Sequence, residues 1–476
     1  MGKVKAVISK LSLANLKKTY YYLKKNGFNA ALFAVRERLA KSPYDDYTYI
    51  APSEEELERQ RRESQVFENP VTISILVPAY NTDSKYMIEL LESLSNQTYP
   101  FWELIIADAS SDVISETCVK NIVKGYIAEN DDERIHYIPL EKNAGISENT
   151  NQALKHATGE YVGLLDHDDL LTPNALYENA VRIIKKREDS TGENNIEGSD
   201  LLLLYSDEDK CDETGTNYYE IHKKEDFNLD LLLSNNYICH FVVMHMDLMQ
   251  KLQFRCNFDG SQDYDLILRG VSEILPNESR IAHIPLCLYH WRCHSSSTAV
   301  NPQSKLYAYE SGKRALEDFL NVHGWNGDVT HTNHLGFFRI TYKPDIFTSR
   351  CDIGVIGGKL LDKNNKITGG IYGRDGSCPY EGLASGYSGY MHKASLQQDA
   401  YAVDIRCIRV RDELKELFEE ITGVVYTESP QTSMFDSNLF VDDSDWKELS
   451  IKFCNAVKER NYKIFWDPEM VRTEIK

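Results

Sequence analysis

The chain is poor in the features that most readily assign a protein to a class. Among its 476 residues no apolar run approaches the length of a membrane-spanning helix, about 20 residues. The N-terminus has no compact apolar stretch followed by small residues, so a secretory signal is not expected. Ten cysteines are present, but no CxxC pair and no metal-type spacing. That favours reduced thiols in a cytosolic protein over a disulfide framework. Neither GxxxxGK nor GxGxxG occurs, so any phosphate must be handled by metal ions and cationic side chains. Positive charge is scarce too. The 53 Lys and Arg against 73 Asp and Glu leave a net −20, which counts against nucleic acid as a partner.

What remains is an ordinary globular composition, 42% hydrophobic and 26% charged, long enough for two or three domains. The charge is uneven. Residues 1–41 carry ten Lys or Arg against Glu37 alone, a net +9, so the rest of the chain carries −29. Apolar residues from Val4 to Val35 recur in this segment at near-helical spacing. Two readings stand: a basic amphipathic arm at an anionic membrane surface, or an arm packed on its own acidic body. "SEEELERQRRES", from Ser53, reads as a helical connector with Ser53 as its N-cap. Residues 1–66 are thus expected as arm and connector.

From Val71 the pattern changes to apolar runs alternating with amphipathic stretches: "VTISILVPAYN", "SKYMIELLESLSNQTY", "WELIIADASSD", "CVKNIVKGYIAEN", "RIHYIPL", "SENTNQALKHATG" closed by Gly159, and "EYVGLLDHDD". Alternation of this kind predicts an α/β fold, a mostly parallel, doubly wound, Rossmann-like sheet. Ligands of such sheets bind beyond the carboxyl ends of the strands. Three of those ends are polar, "PAYN", "ADASSD" and "DHDD", and should converge on one crevice.

The residue types suggest the chemistry. Asp166, Asp168 and Asp169 offer hard oxygen ligands suited to Mg²⁺ or Mn²⁺ bridged to phosphates. The alternative is an acidic loop capping the following helix. Asp108 could accept from a ribose or base, or cap its own loop; Tyr80 and Asn81 could line a base pocket, or make the turn after Pro78. Asp263 and Asp265 precede an amphipathic helix, where Asp263 could be a general base or an N-cap, with Arg269 near the pair. In "LYHWRCHSS", strand alternation puts His290, Arg292 and His294 on one face; His can complete a metal shell and Arg can grip a diphosphate.

In order, "ISILVPAYN", "LESLSNQTYPFWELIIADASSD", "KNAGISENTNQALKHATGEYVGLLDHDDLLTPNAL", "YSDEDK", "GSQDYDLILR" and "IPLCLYHWRCHSSST" resemble the glycosyltransferase family 2 pattern, over roughly residues 70–300. The likeness is to bacterial members that build surface polysaccharides, rhamnosyltransferase-type enzymes included. It implies a GT-A fold and inverting, metal-dependent transfer of a sugar from a nucleotide diphosphate sugar to a glycan or lipid-linked glycan hydroxyl. The setting it implies is the cytoplasm, peripheral on the inner face of the cell membrane if the arm binds there. In that pattern Asp168 matches the metal-binding aspartate, flanked by Asp166 and Asp169, and Asp263 matches the catalytic base. Asp108 and the Pro78–Tyr80 turn match nucleoside-binding positions, and His290 a late histidine near the diphosphate or metal. Ala107 and Gln262 depart from the pattern, standing where many members have Asp and Glu. Two rivals are a sugar nucleotidyltransferase and a non-catalytic carbohydrate-binding or scaffold protein derived from a transferase.

The transferase domain is expected over 67–325. Residues 326–476 hold a faint echo of the block at 235–290: strand, helix, "FD", acidic "DDSDW" (Asp442, Asp443, Asp445) and final strand recur in order. This reads as a degenerate, non-catalytic, GT-A-like half domain.

Overall fold

A computed structural model describes residues 46–473, with 23, 24, 27 and 44, apart from 112–114, 116–117, 191–199, 295–305 and 427–444. The basic arm apart from residues 23, 24 and 27, together with Asp442 and Asp443, therefore lies outside the described residues. No helix among the described residues is long and apolar enough to cross a membrane. The chain divides into two compact units: a larger one of Tyr44–Phe227 and Asn236–Phe319, and a smaller one that includes Asn228–Asn235 and Leu320–Lys476.

In the larger unit the polar segment after Ser53 forms helix α1 (Glu54–Ser64), with the Ser53 hydroxyl accepting from Glu56 N–H. It is more than a connector: Leu57, Gln60 and Ser64 are buried, and Thr98 donates to Gln60 Oε1 at 2.9 Å. Strand β1 (Ile73–Ala79) and strand β2 (Trp102–Asp108), joined by helix α2 (Ser84–Ser95), are buried almost throughout. Apolar burial on both faces is what a parallel interior strand requires. Helix α3 (Val119–Asn130), strand β3 (Ile135–Pro139), helix α4 (Ile146–Leu154) and strand β4 (Tyr161–Leu164) complete this half. β1 runs parallel to both β2 and β4, with Ala79 beside Asp108 and Leu76 beside Leu164. The polar ends of these three strands therefore leave one edge of the sheet.

The chain continues through strand β5 (Leu170–Leu171), helix α5 (Ala175–Ser190), strand β6 (Leu203–Cys211), strand β7 (Tyr218–His222), strand β8 (Val242–His245), helix α6 (Met246–Leu252), helix α7 (Gln262–Ile274) and strand β9 (Ile281–Arg292). The nine-stranded sheet has the order β3-β2-β1-β4-β8-β6-β9-β5, with β7 on β6. β8 is antiparallel to both β4 and β6, while β9 is parallel to β6. The sheet is thus mixed where a mostly parallel one was expected, and its fold is α/β and GT-A-like.

Gly159, expected to cap α4, does something else. The helix ends at Leu154, and Gly159 lies against β1. A Cβ there would sit 2.6 Å from the Thr72 carbonyl oxygen and 2.7 Å from Ser74 Oγ. Its N–H donates to Ser74 Oγ at 2.9 Å, and Ser74 donates to Glu103 Oε1 at 2.6 Å. Burial would raise Glu103, but these donors and Thr158 hold its carboxyl below the usual glutamate range. Gly159→Ala should therefore cost about 1–3 kcal/mol of stability, the usual penalty of overpacking; urea unfolding would read it as a lower midpoint at unchanged slope.

The smaller unit centres on strand Ile353–Leu361, buried at every residue. It pairs antiparallel with 367–369 and 408–410, and parallel with Lys463–Thr473. Helices Lys415–Thr422 and Asp445–Lys458 stand between the last two strands. The short helix Leu229–Ser234 belongs here; Asp230 pairs with Arg350 at 2.7 Å, both fully buried.

The order of pairings is the same as around β6, which has β7 and β8 antiparallel, α6 and α7 following, and β9 parallel. Aligning Tyr205 with Val355, which face Val242 and Val410, sets one register shift of each parallel pair side by side, at Asp207/Glu208 and at Gly357/Lys359. Asp207, Glu208 and Asp209 then correspond to Gly357, Gly358 and Lys359.

Candidate active site

The turns after β1 and β2 are laced together. Asn81, in the left-handed region at φ 49°, accepts from Ser111 N–H and donates its own N–H to Ser110 Oγ. Asp108 is buried; its carboxylate accepts from Ser110 N–H at 2.9 Å and Tyr137 O–H at 2.8 Å. It is placed as the cap of its own turn. Tyr80 projects from the same turn, 45% exposed, and Pro78 is half-buried at the strand end.

The three acidic residues after β4 do not share one environment. Asp169 turns inward: it accepts from Tyr289 O–H at 2.5 Å and from Arg292 N–H at 2.7 Å and is 1% exposed. With both oxygens engaged from within, it braces the loop and is not placed to ligate. Asp168 stays partly exposed and meets His294 Nε2 at 2.7 Å. Burial holds the Asp166 carboxyl above the usual carboxylate range; His240 opposes this, and the charges of Asp168 and Asp263 add to it. The charges of Asp168 and Asp263, from two separate segments, thus both bear on Asp166.

Two further expectations meet a different placement. Arg292 is fully buried, and its guanidinium is spent inside the protein: Nε donates to the Asp168 carbonyl at 2.7 Å, Nη1 to the Glu213 carbonyl at 3.1 Å, and Nη2 pairs with Glu89 at 2.7 Å. It holds the acidic loop and is not presented to a diphosphate. His290 pairs with Asp209, Nδ1 to Oδ1 at 2.6 Å, under the rings of Tyr49 and Tyr218, and has no contact with Asp168. Alternation along β9 set its face correctly, but the partner comes from β6, which lies beside β9 in the sheet. Asp209, Cys287 and His290 form the one such metal-type donor cluster among the described residues. Both Asp209 oxygens there are already engaged, the second by Tyr47 O–H at 2.7 Å.

Asp263 lies in the first turn of α7, whose N-cap is Ser261. Its Oδ2 accepts from Asn236 Nδ2 at 2.8 Å and from the Cys239 thiol at 3.3 Å. The neighbouring Asp265 is structural, pairing with Arg255 and with Arg269 Nε at 3.0 Å. Asn236, Cys239, His240 and Glu208 went unnoticed in the sequence: "NNYIC" has no periodicity, and only the apolar strand after it marks the position.

Residues 74–252 match the Glycosyl transferase family 2 profile. Protein y4gI of Sinorhizobium fredii is 38% identical over 254 residues, covering 53% of this chain and 26% of that protein. The O-antigen biosynthesis protein RfbC of Myxococcus xanthus is 31% identical over 259 residues, covering 54% of this chain and 19% of that protein. The match thus spans about a quarter or less of the length of these relatives. Among solved structures, S. aureus TarS 1-349 in complex with UDP-GlcNAc aligns with a TM-score of 0.38 at 20% identity, over 53% of this chain and 72% of that one. With the mixed sheet and its acidic carboxyl edge, the profile match makes residues 74–252 a glycosyl transferase family 2 domain.

Proposed function

We propose that this chain transfers a sugar from a nucleotide diphosphate sugar to a glycan hydroxyl, with inversion and with Mg²⁺ or Mn²⁺, in the building of a surface polysaccharide. The observation that carries this reading is the acidic loop after β4, on which Asp168 stays partly exposed while Asp169 and Arg292 brace the loop from within, in a domain of this family. The name of the Myxococcus xanthus relative supports the polysaccharide setting.

Asp166 and Asp168 are hard oxygen donors on a loop that Arg292 and Asp169 fix from behind. Burial, with the Asp168 charge beside it, disfavours ionisation of Asp166; a divalent cation held by the two would relieve this and would supply charge neutralisation for a leaving diphosphate. Asp263 takes the proton of the acceptor hydroxyl while that oxygen bonds to the anomeric carbon. The bond from that carbon to the diphosphate oxygen breaks with its electrons leaving on the nucleoside diphosphate. A single displacement inverts the centre. Residues 326–476 act as a degenerate, non-catalytic copy of the β6–β9 half, since glycines and a lysine replace its acidic strand.

The test is thermal shift with UDP-glucose, UDP-N-acetylglucosamine, GDP-mannose and dTDP-rhamnose, each with Mn²⁺ or Mg²⁺, followed by acceptor-dependent release of nucleoside diphosphate. One donor should raise the Tm by several degrees, and Asp168→Ala should remove the metal-dependent part. A protein that binds none of the donors, or an Asp168→Ala variant with unchanged metal dependence, refutes the proposal.

A further inference from the structure

We infer that Cys239, fixed by a Glu208–His240 couple behind it, is a positioning residue that orients the Asp263 carboxylate toward the acceptor hydroxyl. The inference rests on the reading of Asp263 as the base.

The support begins at the buried end. Glu208 on β6 is 7% exposed and meets three nitrogen groups: His240 Nδ1 at 3.0 Å, His222 Nδ1 at 3.2 Å and Lys224 Nζ at 3.6 Å. Lys224 Nζ also donates to the carbonyls of Ile238 (2.7 Å) and His240. The turn carrying Cys239 is thus gripped through both its backbone and its side chain. The His240 ring lies flat on Tyr289, centroids 4.6 Å apart at 12°, so it has little rotational freedom.

The donor directions are consistent along the row. His240 is charged: burial would lower it, but Cys239 and Glu208 hold it well above the usual histidine range. Nδ1–H then faces Glu208, and Nε2–H faces Cys239 Sγ at 3.5 Å. Burial and the Asp263 charge push the Cys239 thiol up to about 12, so it keeps its proton and donates to Asp263 Oδ2 at 3.3 Å. Asn236 donates to the same oxygen at 2.8 Å. Two donors on Oδ2 leave Oδ1 as the oxygen that receives the acceptor proton. The Asp263 charge bears on Asp166 beyond β4, on Cys239 in the turn and on Tyr264 on α7.

The experiment compares Cys239→Ala and Cys239→Ser, using nucleoside diphosphate release from the donor that the thermal-shift panel selects. Losing a hydrogen bond to the charged carboxylate should lower kcat about tenfold with the donor KM unchanged. It should also move the acidic limb of the kcat/KM profile to higher pH, because the donor favours the ionised form. Serine should restore most of both. An unmoved acidic limb overturns the inference, as does a serine variant as impaired as the alanine one. If Cys239→Ala does not fold, His240→Gln should move the limb the same way, and an unmoved limb there is equally decisive. Turnover surviving in Asp263→Asn would instead remove the base assignment, a separate failure from that of Cys239.

Discussion

Asp263→Asn should lower transfer by about 10²–10⁴-fold, the usual contribution of a positioned general base, while the donor still raises the Tm as in the unaltered protein. The asparagine is nearly isosteric and cannot take a proton. Among the described residues Asp263 is bonded through Oδ2, to Asn236 and Cys239, so the substitution perturbs one short row of contacts on the first turn of α7. The neighbouring Asp265, which ties α7 to Arg255 and pairs within the helix with Arg269, is untouched, so loss of rate should come without loss of fold. Steady-state kinetics beside thermal shift reads both. Equal loss of donor binding and turnover would place Asp263 in donor binding and not in proton transfer.

The second large effect is on stability. Glu208→Gln should cost about 3–5 kcal/mol, as when one partner of a buried ion pair is removed and its counter-charge is stranded. Lys224, whose side chain is fully buried, is the stranded group. The cost should depend on pH. Burial alone would raise Glu208, but Lys224, His222 and His240 hold it well below the usual range. A depressed carboxyl stabilises above its unfolded value, about 4.3, and the contribution is lost as pH falls through the folded value. His240 is raised, so its contribution is complete below about 6.5 and is lost as pH rises through its folded value. The difference between the two proteins should therefore be greatest between about pH 4.5 and 6.5, and urea unfolding at pH 3, 5.5 and 9 would trace it. A pH-independent difference would show that Glu208 acts by packing alone.

These two residues illustrate what the sequence discloses. Strands β1, β2 and β4 were legible because burial on both faces writes itself as continuous apolar runs, and their polar ends followed from parallel winding. β8 was not legible as antiparallel, since "FVVMH" has the same composition in either direction. Asp168 and Asp169 look alike in sequence; only the hydroxyl of Tyr289 and the amide of Arg292, far along the chain, decide which one turns inward. Strand alternation gave the face of His290 and Arg292 but not their neighbours, because neighbours depend on sheet order. "LDLLLS" at 229–234 reads as an ordinary apolar helix, and nothing in it tells which unit buries it. Near the C-terminus the order of strands and helices could be read from the alternation of apolar runs, but the pairing of Ile353–Leu361 with 408–410 and Lys463–Thr473 could not, since those strands lie far along the chain.

The pair Gly357–Gly358 has a consequence for the history of the smaller unit. A Cβ on Gly357 would meet the Val403 side chain at 2.3 Å, and one on Gly358 would meet the Met470 carbonyl oxygen at 2.2 Å. Side chain and backbone occupy the space that a larger residue at either position would need. Placing acidic residues there one at a time would therefore clash before any charge network could form. If the unit descends from a working copy, its loss of chemistry acts as a ratchet: the volume is filled, and point mutation alone cannot reverse it.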